Sequence, residues 1–144
     1  MSPISIVLHE LRDAHGLRQS ELADRIGYEQ SYISALEIGV KGPPPLEFVT
    51  RLITKLHLDE GWQARLWESL EFSQRKIVLA IEAPESIYRL CNELRQQLNH
   101  LHPAQVELMR IALNLPRSLA TDALPPQRRI RRRISANHKE VTEM

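Results

Sequence analysis

Five amphipathic stretches, separated by turns of a few residues, fill the first seventy or so positions of this chain and leave no room for a sheet. In ISIVLHELRDAH, Ile4, Leu8 and Leu11, with Val7 alongside, recur at helical spacing, and Gly16 ends the stretch. QSELADRI places Leu22, Ala23 and Ile26 on one face and stops at Gly27. EQSYISALEI turns Ile33 and Leu36 inward and stops at Gly39. After the loop VKGPP, PLEFVTRLITKL carries Leu46, Val49, Ile53 and Leu56 as its expected stripe. Pro45 falls at or near the first turn of that helix, where its missing N–H is harmless. Asp59 is the expected cap of EGWQARLWESL, whose inner face holds Trp62, Leu66 and Leu70. The pattern predicts a compact helical domain over residues 1–72.

The chain then changes character. RKIVLAIE is β-branched and apolar, so residues 73–83 read as a linker or as a short dimer strand. One strand cannot pair inside a helical subunit; a strand here requires pairing across a dimer. Residues 84–115 read as a helical hairpin. In the first helix Ile87, Cys91, Leu94, Leu98 and Leu101 step by four and three; in the second, opened by Pro103, Val106, Met109 and Leu113 face inward. The stripes either close on each other or the main domain, or serve dimerisation. Residues 116–144, with RRIRRR, have little apolar periodicity and read as a basic, disordered tail: a phosphate-binding arm, a docking tail or a solubilising end.

Charge alone does not point to nucleic acid. Residues 1–58 carry 6 basic and 7 acidic side chains, residues 59–115 carry 6 and 8, and only residues 116–144, with 7 and 3, are strongly basic. The single Cys91 excludes an internal disulfide and a thiolate metal cage. No signal peptide or membrane span is visible, so a cytoplasmic protein without membrane contact is expected. Of the six histidines no two stand at i, i+4 on one helix, and no catalytic motif lies on a recognisable scaffold. The expectation is no enzyme, no metal and no cofactor.

The segment QSELADRIGYEQSYISALEIG decides the reading. Two short helices meet through Gly27, where a steep turn needs a left-handed backbone, and Ala23 is the small residue where they touch. That is helix-turn-helix geometry, in which the second helix projects to enter a DNA major groove. Residues 8–58 resemble the Cro/C1-type, or XRE, family of phage-repressor DNA-binding domains. The resemblance is carried by LRDAHGLRQSELADRIGYEQSYISALEIG and the later PLEFVTRL: Arg12, Gly16, Gln19, Leu22, Ala23, Ile26, Gly27, Ile33, Leu36, Glu37 and Gly39 stand where that family expects them. It implies a five-helix, lambda-repressor-like domain at the head of an all-α chain.

The resemblance also implies roles. Gln30, Ser31, Tyr32, Ser34 and Ala35 would face the major groove. There an amide can pair with adenine, hydroxyls can bond several bases, and the Ala35 methyl can meet a thymine methyl; the alternative is a merely solvated face. Tyr32 would pack on the sugar-phosphate or reach a base edge. Arg18, Gln19 and Lys41 would contact phosphate, with Gln19 also bridging to the recognition helix. Arg12 and Glu37 would form an internal ion pair that holds that helix at its angle. Arg18 stands where the family has a Ser or Thr cap, and Glu29 likewise, either complementing a helix N-terminus or reading cytosine. The implied function is sequence-specific double-stranded DNA binding by a homodimeric transcriptional repressor at a near-palindromic operator. The rivals are an autoregulating antitoxin that binds a toxin through its C-terminal hairpin or tail, and a protein-interaction adaptor without DNA affinity.

Overall fold

The structure is a computed structural model that describes residues 1–116. The described residues are all helical, with no strand among them, as the short amphipathic repeats predict. They belong to two compact units that divide between Val78 and Leu79.

The first unit holds α1 (Pro3–Ala14), α2 (Gln19–Ile26), α3 (Gln30–Ile38), α4 (Leu46–Leu56) and α5 (Glu60–Phe72). The Ser2 side chain accepts from Ser5 N–H to cap α1, and Asp59 accepts from Trp62 N–H to cap α5. Helix α1 packs on α3 and α5, while α2 packs on α3 and α4. Ile4, Leu8, Leu11, Leu22, Ile26, Ile33 and Leu36 meet in one core with Leu66 and Leu70.

Helix α4 corrects the expected stripe. Leu46 is 67% exposed, whereas Phe48, Val49 and Leu52 are buried and Ile53 and Leu56 only partly so. Pro45 is the N-cap, so Leu46 starts the helix and points away from the core; the inward row begins two residues later. Phe48 is the largest fully buried side chain, a burial that contributes about 3 kcal/mol.

Buried hydroxyls stitch this unit where helix ends meet. Ser5 Oγ donates to Leu36 O at 2.6 Å, and Ile4 N–H donates to Ser73 Oγ at 2.9 Å. Ser73 Oγ in turn donates to Ser69 O. The end of α3 and the end of α5 are thus both tied to the start of α1.

In the second unit, α6 (Glu85–Gln97) runs into a single 3-10 turn at Leu98–His100, and α7 (Pro103–Leu113) follows. His102 caps α7: its Nδ1 accepts from Ala104 N–H, and Gln105 Oε1 accepts from His102 N–H. Neither helix has a buried residue. Ile87, Cys91, Leu94, Leu101 and Met109 of the expected stripes are half-buried, while Leu98, Val106 and Leu113 are exposed. An open groove between the helices is lined by Leu90, Leu94, Leu101, Leu108 and Met109. Residues 74–80, between α5 and α6, have no regular secondary structure. From residue 117 on, the expected basic tail lies outside the described residues.

Candidate nucleic-acid interface

Helices α2 and α3 meet through a turn whose geometry follows from Gly27. Its φ of 73° is left-handed, and its N–H bonds back to Ala23 O. Tyr28 N–H also donates to Ala23 O, so two successive amides close on one carbonyl and redirect the chain. Leu22, Ala23, Ile26, Ile33 and Leu36 are buried, which leaves the opposite side of α3 outward.

Along α3, Gln30, Ser31, Ser34, Ala35 and Ile38 share one face by helical periodicity. Gln30, Ser31 and Ile38 are exposed, and Ser34 and Ala35 half-exposed. Ser31 Oγ donates to Glu29 Oε2 at 3.4 Å. The face offers an amide, two hydroxyls and two apolar contacts, with no charge along the helix itself. Ile38 is the member that the sequence reading missed; its signal is the spacing of four from Ser34.

Tyr32 is not brought onto that face. Its ring stacks on Tyr28 with centroids 5.3 Å apart, and both rings meet the edge of Phe48. Burial raises the pKa of its hydroxyl, with a smaller contribution from Tyr28. Cations flank the stack: Lys41 Nζ is 5.6 Å from the Tyr32 centroid, and Arg51 Cζ is 5.3 Å from that of Tyr28. Arg51 also donates to Ile26 O and to Glu47. Tyr28 and Arg51 are not legible from the sequence, because the contacts that seat them, to Phe48 and to Ile26 O, are distant in sequence.

The angle of α3 is held by Glu37, only 6% exposed. Arg12 donates to it through Nε at 2.8 Å and Nη2 at 3.2 Å, and Gln19 Nε2 donates to Oε2 at 2.9 Å. Arg12 Nη1 also donates to Leu17 O at 2.9 Å, drawing in the turn before α2. Burial pushes the Glu37 carboxyl up, but the bonds from Arg12, Gln19 and His9 outweigh it and hold the pKa below the ordinary carboxylate range. The bond to Glu37 raises the Arg12 pKa in turn.

Arg18 and Glu29, the N-cap residues of α2 and α3, make no cap bond with their side chains. Arg18 N–H is instead taken by Glu21 Oε2 at 2.7 Å. Gln19 and Arg18 stand at the start of α2, and Lys41 in the loop after α3. The start of that loop is fixed twice: Lys41 N–H donates to Ala35 O, and Arg75 Nη2 donates to Gly39 O at 2.6 Å. Among the described residues no cluster of His, Cys, Asp or Glu is placed to hold a metal ion, and no helix is long and apolar enough to cross a membrane.

Two helices joined through a left-handed glycine, with the second projecting an uncharged polar face, define a helix-turn-helix DNA-binding module. Residues 4–66 match the family model described as a helix-turn-helix domain. No curated protein and no solved structure matches the chain.

Proposed function

We propose that the protein is a homodimeric transcriptional repressor that binds a near-palindromic operator and reads each half-site with α3. The observation that carries this reading is the outward face of Gln30, Ser31, Ser34 and Ala35 on a helix whose tilt is locked by the Arg12–Glu37–Gln19 network. Gln30 pairs with adenine, the serines bond base edges, and Ala35 meets a thymine methyl. Arg18, Lys41 and the N-terminus of α3, which no side chain caps, hold phosphate, in a domain whose own charge is slightly negative. Tyr32 lies off that face, stacked on Tyr28 with Lys41 over its ring, and meets the sugar-phosphate beside the groove and not a base edge.

Dimerisation is supported by the second unit. Two short helices around an open apolar groove, with no buried residue, bury too little surface to be stable alone. A second copy provides the missing cover, and two-fold symmetry pairs two recognition helices with two half-sites about one helical turn apart. Repression then follows from occlusion of the promoter.

Selection of the full chain against a random double-stranded DNA pool near physiological salt, with solution mass measured on the same sample, tests the reading. An enriched inverted repeat and a dimeric mass are expected. A folded chain that enriches no sequence would overturn it.

A further inference from the structure

Helix α7 is apolar on two sides, and the hairpin encloses neither. Of its residues only Gln105, Glu107 and Arg110 are polar. Val106, Met109 and Leu113 form the row that the sequence assigns to the inside of the hairpin. Ala104, Leu108, Ile111 and Leu115 recur at steps of four, three and four and form a second row. Leu115 N–H donates to Ala112 O, which carries this row just past the end of the helix. Leu108, Ile111 and Leu115 are 66%, 56% and 53% exposed. Leu108 borders the groove towards α6, whereas Ile111 and Leu115 take no part in lining it. A helix that is apolar over so much of its circumference belongs inside a bundle.

We propose that the second row is the seam of the homodimer: α7 packs antiparallel on α7 of a second copy, about a two-fold axis that passes between Met109 and Arg110. The proposal rests on the homodimer reading above and names the helix face that makes the dimer.

The row complements itself, which commits it to a second copy. With the axis between Met109 and Arg110, Ala104 of each copy meets Leu115 of the other, and Leu108 meets Ile111. All four members then face apolar partners, with the smallest side chain set against a large one at both ends. Sliding one helix by a turn in either direction ends this match. It carries Leu115 opposite the residues before Pro103, or Ala104 opposite residues beyond Leu115. Parallel pairing sets Ala104 beside Ala104 and Leu115 beside Leu115, which leaves a gap at one end and crowds the other. The row itself carries no charge, so two copies meet along it without like-charge repulsion.

The size of the hairpin fits as well. A stable interface takes roughly 800 Å² and about 20–30 residues from each partner. Helices α6 and α7 hold 13 and 11 residues, none of them buried. Because Leu108 belongs both to the row and to the groove, a second copy on the row also lies along one wall of the groove. The two hairpins then form a four-helix bundle with the α7 pair as its seam.

The test uses the full chain in a Cys91→Ser background, which removes the only native thiol. Ala104→Cys and Leu115→Cys chains, mixed and treated with a short thiol-reactive cross-linker, should give a covalent dimer. Neither should do so alone, because its two copies stand eleven residues, about 16 Å, apart along the seam. Ile111→Glu should raise the dimer dissociation constant about a hundredfold by burying two unpaired charges. Mixing it with Leu108→Lys, which places a lysine opposite each glutamate, should restore dimers. Linking by each chain alone, as parallel helices require, would overturn the pairing. A dimeric mass with no mixed link and no charge rescue would also overturn it and leave the homodimer reading standing. A monomeric mass at every concentration would overturn both and give the row to another protein or to residues 117–144. All four positions are exposed, so no variant removes a core contact.

Discussion

Gln19 Nε2 donates to Glu37 Oε2 at 2.9 Å, so the first residue of α2 is tied to the last turn of α3 across the intervening turn. Arg12 reaches the same carboxylate from α1. Three helices thus converge on one buried charge, and the tilt of α3 depends on electrostatics as well as on the packing of Ile33 and Leu36.

Removing one partner should cost more than removing both. Arg12→Ala leaves Glu37 buried and short of its strongest donor, a loss of about 2–4 kcal/mol of unfolding free energy. Arg12→Met with Glu37→Gln removes the charge with its partner and should recover much of that loss. Urea unfolding of the two variants checks this; equal destabilisation would mean that the pair adds nothing beyond its separate side chains.

Glu37 also predicts an acid limb. An unfolded glutamate titrates near about 4.3, and Glu37 in the fold titrates lower because its hydrogen bonds outweigh its burial. In that window the unfolded chain binds more protons than the folded one. The stabilisation is therefore fully present above the unfolded value and is lost as pH falls through the folded one. Glu37→Gln should be less stable at neutral pH, with a difference that shrinks on acidification. Urea midpoints that run parallel for the two proteins from neutral pH into the acid range would contradict the depressed value.

Gly27 should tolerate Asn better than Ala. A Cβ there meets only the flexible end of Arg51, at 3.5 Å, so space is not the obstacle. The left-handed φ of 73° is, and it costs an alanine about 1–2 kcal/mol. Gly27→Ala should lower the thermal midpoint by several degrees, and Gly27→Asn by clearly less. Equal losses would point to a clash in place of backbone strain.

What was legible in the sequence was whatever is local. Gly16, Gly27 and Gly39 all stop helices with left-handed φ, and the rows Ile4–Leu8–Leu11 and Leu22–Ala23–Ile26 read directly as buried faces. Helix α4 was misread at Leu46 because Pro45 moves the start of the helix, and periodicity alone does not say which row of an apolar helix begins the core side. Tyr28, Arg51 and Arg75 were not legible. Their partners are Phe48, Ile26 O and Gly39 O, each 20 or more residues away, and no spacing rule connects them.

Gln30 and Lys41 should fail in different ways, which separates reading from holding. Gln30, exposed at the start of α3, carries a bidentate amide; Gln30→Ala should lose about 1–3 kcal/mol of discrimination at one base position in each half-site. Affinity for unrelated DNA should hardly change. Lys41 lies over the Tyr32 ring in the loop pinned by Arg75, and its ammonium is a point charge without base preference. Lys41→Ala should weaken binding to every sequence alike and reduce the slope of log affinity against log salt by about one per subunit. Titrations of operator and scrambled duplex at several salt concentrations check both. If Gln30→Ala instead lowers both duplexes equally, the amide faces the backbone, and base reading falls to Ser31, Ser34 and the exposed Ile38.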